Sequence, residues 1–284
     1  RQRQMCIRDR FTYDAFVIAL LMLGIALFVT EYLSEEKIQT KRTMVSILAM
    51  VVGCFSKAVY IPFLALYWLM PKDKFYSRRQ KNLFKAGIFV LLILMFASFI
   101  LPLIGNVTSG AEVGDYRGGD TSQTSQLSMI LGYPLTYTGV LLKSLGTTFA
   151  SYFIGSKVLA NFAYRGIYDG IGYFVVLLTM LFTFVTDFGM TEKTYDAQMK
   201  RKILMMKIWN AVLIFGTACL VWTALYLDFT PVGSMVINGV SPRYYLPLIF
   251  PLSLIFINQK VRCSMKLENY QSLIAFLMLI GTGI

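Results

Sequence analysis

Seven apolar runs of roughly bilayer-crossing length are strung along the chain: Thr12 to Glu31, Met44 to Met70, Ala86 to Gly105, Tyr168 to Phe188, Ile208 to Asp228, Tyr244 to Ile257 and Tyr270 to Ile284. A spanning helix uses about 20 residues, so these runs take up about half of the 284 available. Hydrophobic residues make up 56 % of the chain and charged ones only 15 %. A water-soluble globule has no interior large enough for that apolar content, because folding still leaves about a quarter of the unfolded surface exposed. The fold class expected is all-α: a polytopic integral membrane protein with about six spans, a hairpin of short helices and interfacial helices on the outer face. The expected location is a cell membrane, crossed several times.

The segments between the runs are basic, and their placement sets the orientation. Seventeen of the 23 lysines and arginines beyond residue 10 fall in four short stretches: Glu35 to Thr43, Pro71 to Lys85, Phe188 to Lys207 and Gln259 to Glu268. Short loops rich in such residues stay in the cytoplasm. Both flanks of Met44 to Met70 are basic, so that run is expected to enter and leave on one side as two short helices around Ser56-Lys57. Asn106 to Ile167, Phe229 to Pro242 and the start of the first run at Tyr13-Asp14 then face outward. Anionic lipid and topology account for the formal charge of +12, and nucleic acid is not implied. Membrane lipid is the expected partner.

The first ten residues are read differently. Met5-Cys6-Ile7-Arg8-Asp9-Arg10 is the translation of a sequencing-library adapter, so residues 1–10 are taken as a scar and 11–284 as one transmembrane domain. The natural protein is then expected to begin upstream, and the last run, which stops without a polar tail, suggests a truncated C-terminus as well.

Chemistry is narrowed by what the chain lacks. It contains no histidine, which removes the commonest general base and metal ligand together with every histidine-based nucleophile arrangement. The four cysteines show neither a disulfide framework nor metal-ligand spacing. From Leu127 through Ile130, Leu131, Leu135, Leu141, Leu142, Leu145, Phe149 and Phe153, apolar residues recur near helical spacing, interrupted at Pro134. Such a segment suits helices lying in the interface plane, or helices packed sideways on the spans.

Four candidate sites remain. Lys57 places a cation inside an apolar run, at a cost of at least about 2.5 kcal/mol unless it faces protein, water or a countercharge. A site for an anion, a structural ion pair and a lysine reaching toward the interface are all consistent with it. Arg243 and Tyr244 stand at the mouth of a run, where a guanidinium fork and phenols suit a lipid phosphate, or an ordinary interfacial anchor. Asp115 and Asp120 flank a glycine-punctuated turn in the outer loop. Two neighbouring carboxylates could hold a divalent cation or sugar hydroxyls, against plain solvated loop charge. No cofactor is otherwise indicated. Asp14 is a carboxylate at the outer end of the first run, fit to act as a base or hydroxyl ligand, or simply to open the helix.

The combination of Tyr13-Asp14-Ala15, Ser56-Lys57-Ala58-Val59-Tyr60-Ile61-Pro62, Gln126-Leu127 through Tyr133-Pro134-Leu135, Tyr152-Phe153-Ile154-Gly155 and Arg243-Tyr244-Tyr245-Leu246-Pro247-Leu248 resembles the bacterial predicted membrane proteins grouped as domain of unknown function 2142. The resemblance covers most of residues 12 to 258. It implies kinship with C-type glycosyltransferases, polytopic enzymes that move sugar from a polyprenyl-phosphate donor on the extracytoplasmic face during cell-envelope glycan assembly. On that implication Arg243, Lys57 and Tyr244 hold the donor phosphate, and Asp115 and Asp120 belong to the acceptor side. The catalytic carboxylate of such enzymes follows the first span in an outer loop that would precede residue 12. Asp14 is the weak candidate within this chain. The alternatives are a transporter or flippase of lipid-linked glycans, or a non-catalytic membrane subunit of the envelope.

Overall fold

A computed structural model describes residues 14–109, 121–159, 170–186, 196–256 and 265–282. Among these residues the secondary structure is helical, with no strand. Three helices are long and apolar enough to cross a membrane: Ala15–Leu33, the Arg78–Leu101 part of a longer helix, and Ala197–Phe229. Shorter apolar helices occupy Ala58–Leu69, Ile171–Thr186 and Leu267–Ile280. The chain divides into two compact units, residues 1–144 with 208–240, and residues 145–207 with 241–284.

The first unit is built on α1 (Ala15–Leu33) and α2 (Thr40–Phe55). They pack closely because glycines sit at the crossing. A Cβ on Gly24 would lie 2.5 Å from Met50 Cγ and 3.0 Å from the Ser46 carbonyl, and one on Gly53 would lie 3.0 Å from Leu20 Cβ. Small residues let helix backbones approach in a membrane, where dispersion and hydrogen bonds replace the hydrophobic effect. At this crossing Ser46 Oγ donates to the Gly24 carbonyl at 2.6 Å, and the buried Tyr67 hydroxyl donates to Ser46 Oγ.

After α2 the chain turns at Ser56-Lys57 and returns as a 3₁₀ helix over Ala58–Leu69, placing the break where the basic flanks predict it. A 3₁₀ helix rises about 2.0 Å per residue and an α-helix about 1.5 Å. The 12-residue return leg and the 16-residue α2 are therefore both about 24 Å long, and the hairpin legs match. Pro62 lies inside the return leg, where it cannot donate a backbone hydrogen bond. Side chains three apart line up in such a helix. The columns through Ile61, Leu64, Tyr67 and through Tyr60, Phe63, Leu66 are fully buried, whereas Val59, Pro62 and Trp68 form the more open column.

The ends of the hairpin are fastened to the preceding turn. Ile38 N–H donates to the Lys74 carbonyl at 2.9 Å, and Lys37 Nζ donates to the Asp73 and Phe75 carbonyls at 2.8 and 3.2 Å. The basic stretches 35–43 and 71–85 thus sit together, as one side of a membrane requires. Next, α3 (Arg78–Ser109) begins a full two turns before its apolar run. Lysine, arginine and glutamine are good helix formers, so the helix edge and the hydrophobic edge do not coincide.

The same offset marks the late helix of this unit. With α4 (Gln123–Gly132), α5 (Pro134–Phe153), α6 (Ser156–Leu159) and α7 (Ile171–Thr186) counted in chain order, it is α8 (Ala197–Phe229), which starts eleven residues ahead of the run Ile208 to Asp228. Pro134 separates α4 from α5 as its ring demands. Among the described residues these helices are hydrogen-bonded to the end of α8, an arrangement compatible with either placement. Gln126 Nε2 donates to the Thr230 and Pro231 carbonyls at 2.8 and 3.1 Å, Gln123 Nε2 to Asp228 Oδ1 at 2.6 Å, and the Tyr137 hydroxyl to Thr223 Oγ1 at 2.6 Å.

In the second unit α7 runs antiparallel to α10 (Leu267–Thr282), with Thr186 Oγ1 and the Tyr270 hydroxyl 3.0 Å apart. The run Tyr244 to Ile257 forms no single α-helix. It is 3₁₀ over Pro242–Leu248 and α-helical over Ile249–Phe256, here α9. Pro247 and Pro251 explain the departure, because each removes a backbone donor and hinders a continuous α ladder.

Candidate functional site

The most informative arrangement lies in the first unit, at the end of the hairpin away from the basic stretches. Because α1 and α2 are antiparallel and joined at residues 34–39, the start of α1 comes level with the turn between α2 and the return leg. Asp14 and Lys57 meet there, Oδ1 against Nζ, as a salt bridge. Their side chains are 14 % and 12 % exposed, respectively, which leaves the pair shielded yet reachable. The turn is held by Lys57 N–H donating to the Cys54 carbonyl at 3.0 Å and by Tyr60 N–H donating to the Lys57 carbonyl at 3.3 Å.

This pairing bears on the alternatives left open for both residues. Asp14 occupies the helix-opening position, but its side chain makes no capping hydrogen bond; it turns to the ammonium instead. Lys57 has extended backbone, φ −146° and ψ 94°, so the side chain leaves the helical path at the apex. The carboxylate gives the ammonium a countercharge, so the cation does not stand alone in the apolar hairpin.

Arg243 and Tyr244 lie in the second unit, on the 3₁₀ segment Pro242–Leu248. Arg243 is exposed, and its guanidinium carbon is 5.5 Å from the centroid of the Tyr244 ring, within cation–π range. The neighbouring Tyr245 is buried against Phe153 and Tyr152, with ring centroids 4.7 and 5.6 Å away. The motif is thereby anchored by one tyrosine, while its arginine stays exposed and Tyr244 is half-buried. Asp115 and Asp120 lie outside the described residues. Among those residues no cluster of histidine, cysteine, aspartate or glutamate has the makings of a metal site.

Sequence reasoning missed two buried charges at the opposite end of the hairpin. Glu31, 1 % exposed, accepts from Gln39 N–H at 3.0 Å and from Arg42 at 3.4 Å. Lys74, 2 % exposed, donates to the Ser34 carbonyl at 2.7 Å, to Ser34 Oγ and to the Glu36 carbonyl at 3.0 Å. Neither stands out in the sequence, where one closes an apolar run and the other belongs to a basic stretch. Gln126 was read only as part of a motif, yet it is fully buried, and among the described residues its amide oxygen has no hydrogen-bond partner.

No curated protein and no solved structure matches the chain. The family model described as "Predicted membrane protein (DUF2142)" matches residues 7–252. With most of its length covered by that match and three span-length helices in its fold, the chain belongs to the DUF2142 family of predicted membrane proteins.

Proposed function

We propose that the protein is a membrane-embedded sugar transferase of the C-type, drawing on a polyprenyl-phosphate-linked sugar at the outer face of the membrane. The observation that carries this reading is the shielded Asp14–Lys57 pair at the hairpin apex, remote from the basic stretches. On this reading the Asp14 carboxylate takes the proton of the acceptor hydroxyl. The acceptor oxygen bonds to the anomeric carbon as that carbon's bond to the phosphate oxygen breaks, and the electron pair leaves on the polyprenyl phosphate. Protonation cancels the charge of Asp14 as the phosphate gains one, so the Lys57 ammonium transfers its pairing to the leaving group. Arg243 and Tyr244, on the second unit, are assigned to the donor phosphate by their chemistry: a fork of N–H donors and a phenol hydroxyl. The acidic pair Asp115 and Asp120 is assigned to the acceptor.

The test is incubation of the purified protein, reconstituted in vesicles, with labelled polyprenyl-phosphate sugars. Turnover that falls roughly a hundredfold in Arg243→Ala, and that is lost in Asp14→Asn with the protein still folded, supports the assignment. Movement of the labelled lipid across the bilayer without turnover would replace the enzyme by a transporter. Neither turnover nor movement would leave a non-catalytic subunit.

A further inference from the structure

Along α3 the residues Arg78, Lys81, Lys85, Phe89, Ile93, Phe96 and Ile100 recur every three or four positions, which puts them on one stripe of the helix. The stripe changes character partway. Its first two turns are cationic and the rest is apolar. Beside the apolar part, the indole of Trp68 stands against Phe89, ring centroids 6.3 Å apart and nearly parallel. A groove of about 470 Å³ opens there, lined chiefly by Trp68, Phe89, Ile93, Phe96, Ala97 and Ile100. Lys85 Nζ donates to the Trp68 carbonyl at 2.8 Å, so the last cation of the stripe is fastened at the head of the groove.

Length and charge together select the occupant. From Phe89 to Ile100 the helix rises about 17 Å at 1.5 Å per residue, close to half of a hydrocarbon core about 30 Å thick. The groove therefore serves one leaflet. Its head lies at the end of α3 that carries the basic stretch, where anionic lipid headgroups concentrate. We propose that the groove holds an acyl chain of an anionic phospholipid from that leaflet, with Arg78, Lys81 and Lys85 meeting its headgroup phosphate. A convex lipid-facing helix offers annular lipid no such trough, and a zwitterionic headgroup gains less from the cations in register with it. This site stands apart from the Asp14–Lys57 apex and does not depend on the sugar-transfer reading.

The test uses the full chain in phosphatidylcholine vesicles doped with chain-brominated phosphatidylglycerol or chain-brominated phosphatidylcholine. Trp68 is the reporter, isolated as the difference between the protein and its Trp68→Phe variant. Brominated phosphatidylglycerol is expected to quench at lower mole fraction than brominated phosphatidylcholine. Each of Lys81→Gln and Lys85→Gln should cut that preference about fivefold, and Lys81→Gln alone suffices should Lys85→Gln disturb the end of the return leg. Ala97→Phe, which fills the trough, should weaken quenching by both lipids and leave their ratio unchanged. Equal quenching by the two lipids, or a preference that survives Lys81→Gln at full strength, would overturn the proposal.

Discussion

The two ends of the hairpin handle charge differently. At the basic end Lys74 is buried among main-chain carbonyls of the Ser34–Glu36 turn, and Glu31 accepts from a backbone N–H of Gln39 at 3.0 Å, with the Arg42 side chain a longer second partner at 3.4 Å. At the apex Asp14 and Lys57 meet through side chains. Main-chain partners are fixed by the fold and cannot leave without unfolding a turn. Side-chain partners can exchange, because either can rotate to a third group of suitable charge. The first end is thus built as a fastening, whereas the second is the one that the proposed function assigns to a ligand.

Substitutions can break or sharpen that contrast. The largest loss of stability is expected for Lys74→Met, which strands the Ser34 and Glu36 carbonyls without their donor; about 3 kcal/mol should be lost, read as a fall in the thermal unfolding midpoint in detergent. Gly24→Val comes next, because its branched side chain must displace Met50 and open the α1–α2 crossing, for about 2 kcal/mol by the same measurement. At the apex, Asp14→Asn and Lys57→Gln should each cost about 1 kcal/mol, and the double variant less than the two together. A cycle in which the single costs simply add would show that the pair does not interact. If the apex were a fastening like the other end, its single variants would match Lys74→Met in stability, and the distinction would fail. Smallest is Tyr137→Phe, expected to cost about 0.5–1 kcal/mol for the lost bond to Thr223. Burial pushes this hydroxyl up from its usual range, with the Thr223 bond opposing the shift, so it remains a donor at neutral pH and the effect should not vary between pH 6 and 8.

Much of the fold was legible because bilayers read composition directly. The basic flanks placed the break at Ser56-Lys57, and Pro134 separated two helices, both on local grounds. What escaped was backbone type and helix extent. Hydropathy shows where a chain is apolar, not whether it winds as α or 3₁₀, so the Ala58–Leu69 leg and the Pro242–Leu248 segment were visible only as apolar runs. The early starts of α3 and α8 were hidden by charge. At the site, Lys57 was conspicuous as a cation in an apolar run, but its partner is 43 positions away, and no local pattern joins them. Glu31 and Lys74 look like solvent-facing charges until the turn that closes over them is known.

The threefold winding of the return leg constrains how its length can change. Adding or deleting one residue there would rotate everything beyond it by about 120° and shift its depth by about 2 Å, turning the open column inward and lifting the lysine from the level of its carboxylate. Three residues restore the rotation but still cost about 6 Å of depth. Length variation in this part of the family should therefore be rare, and where it occurs it should come in threes with a compensating change in the partner helix.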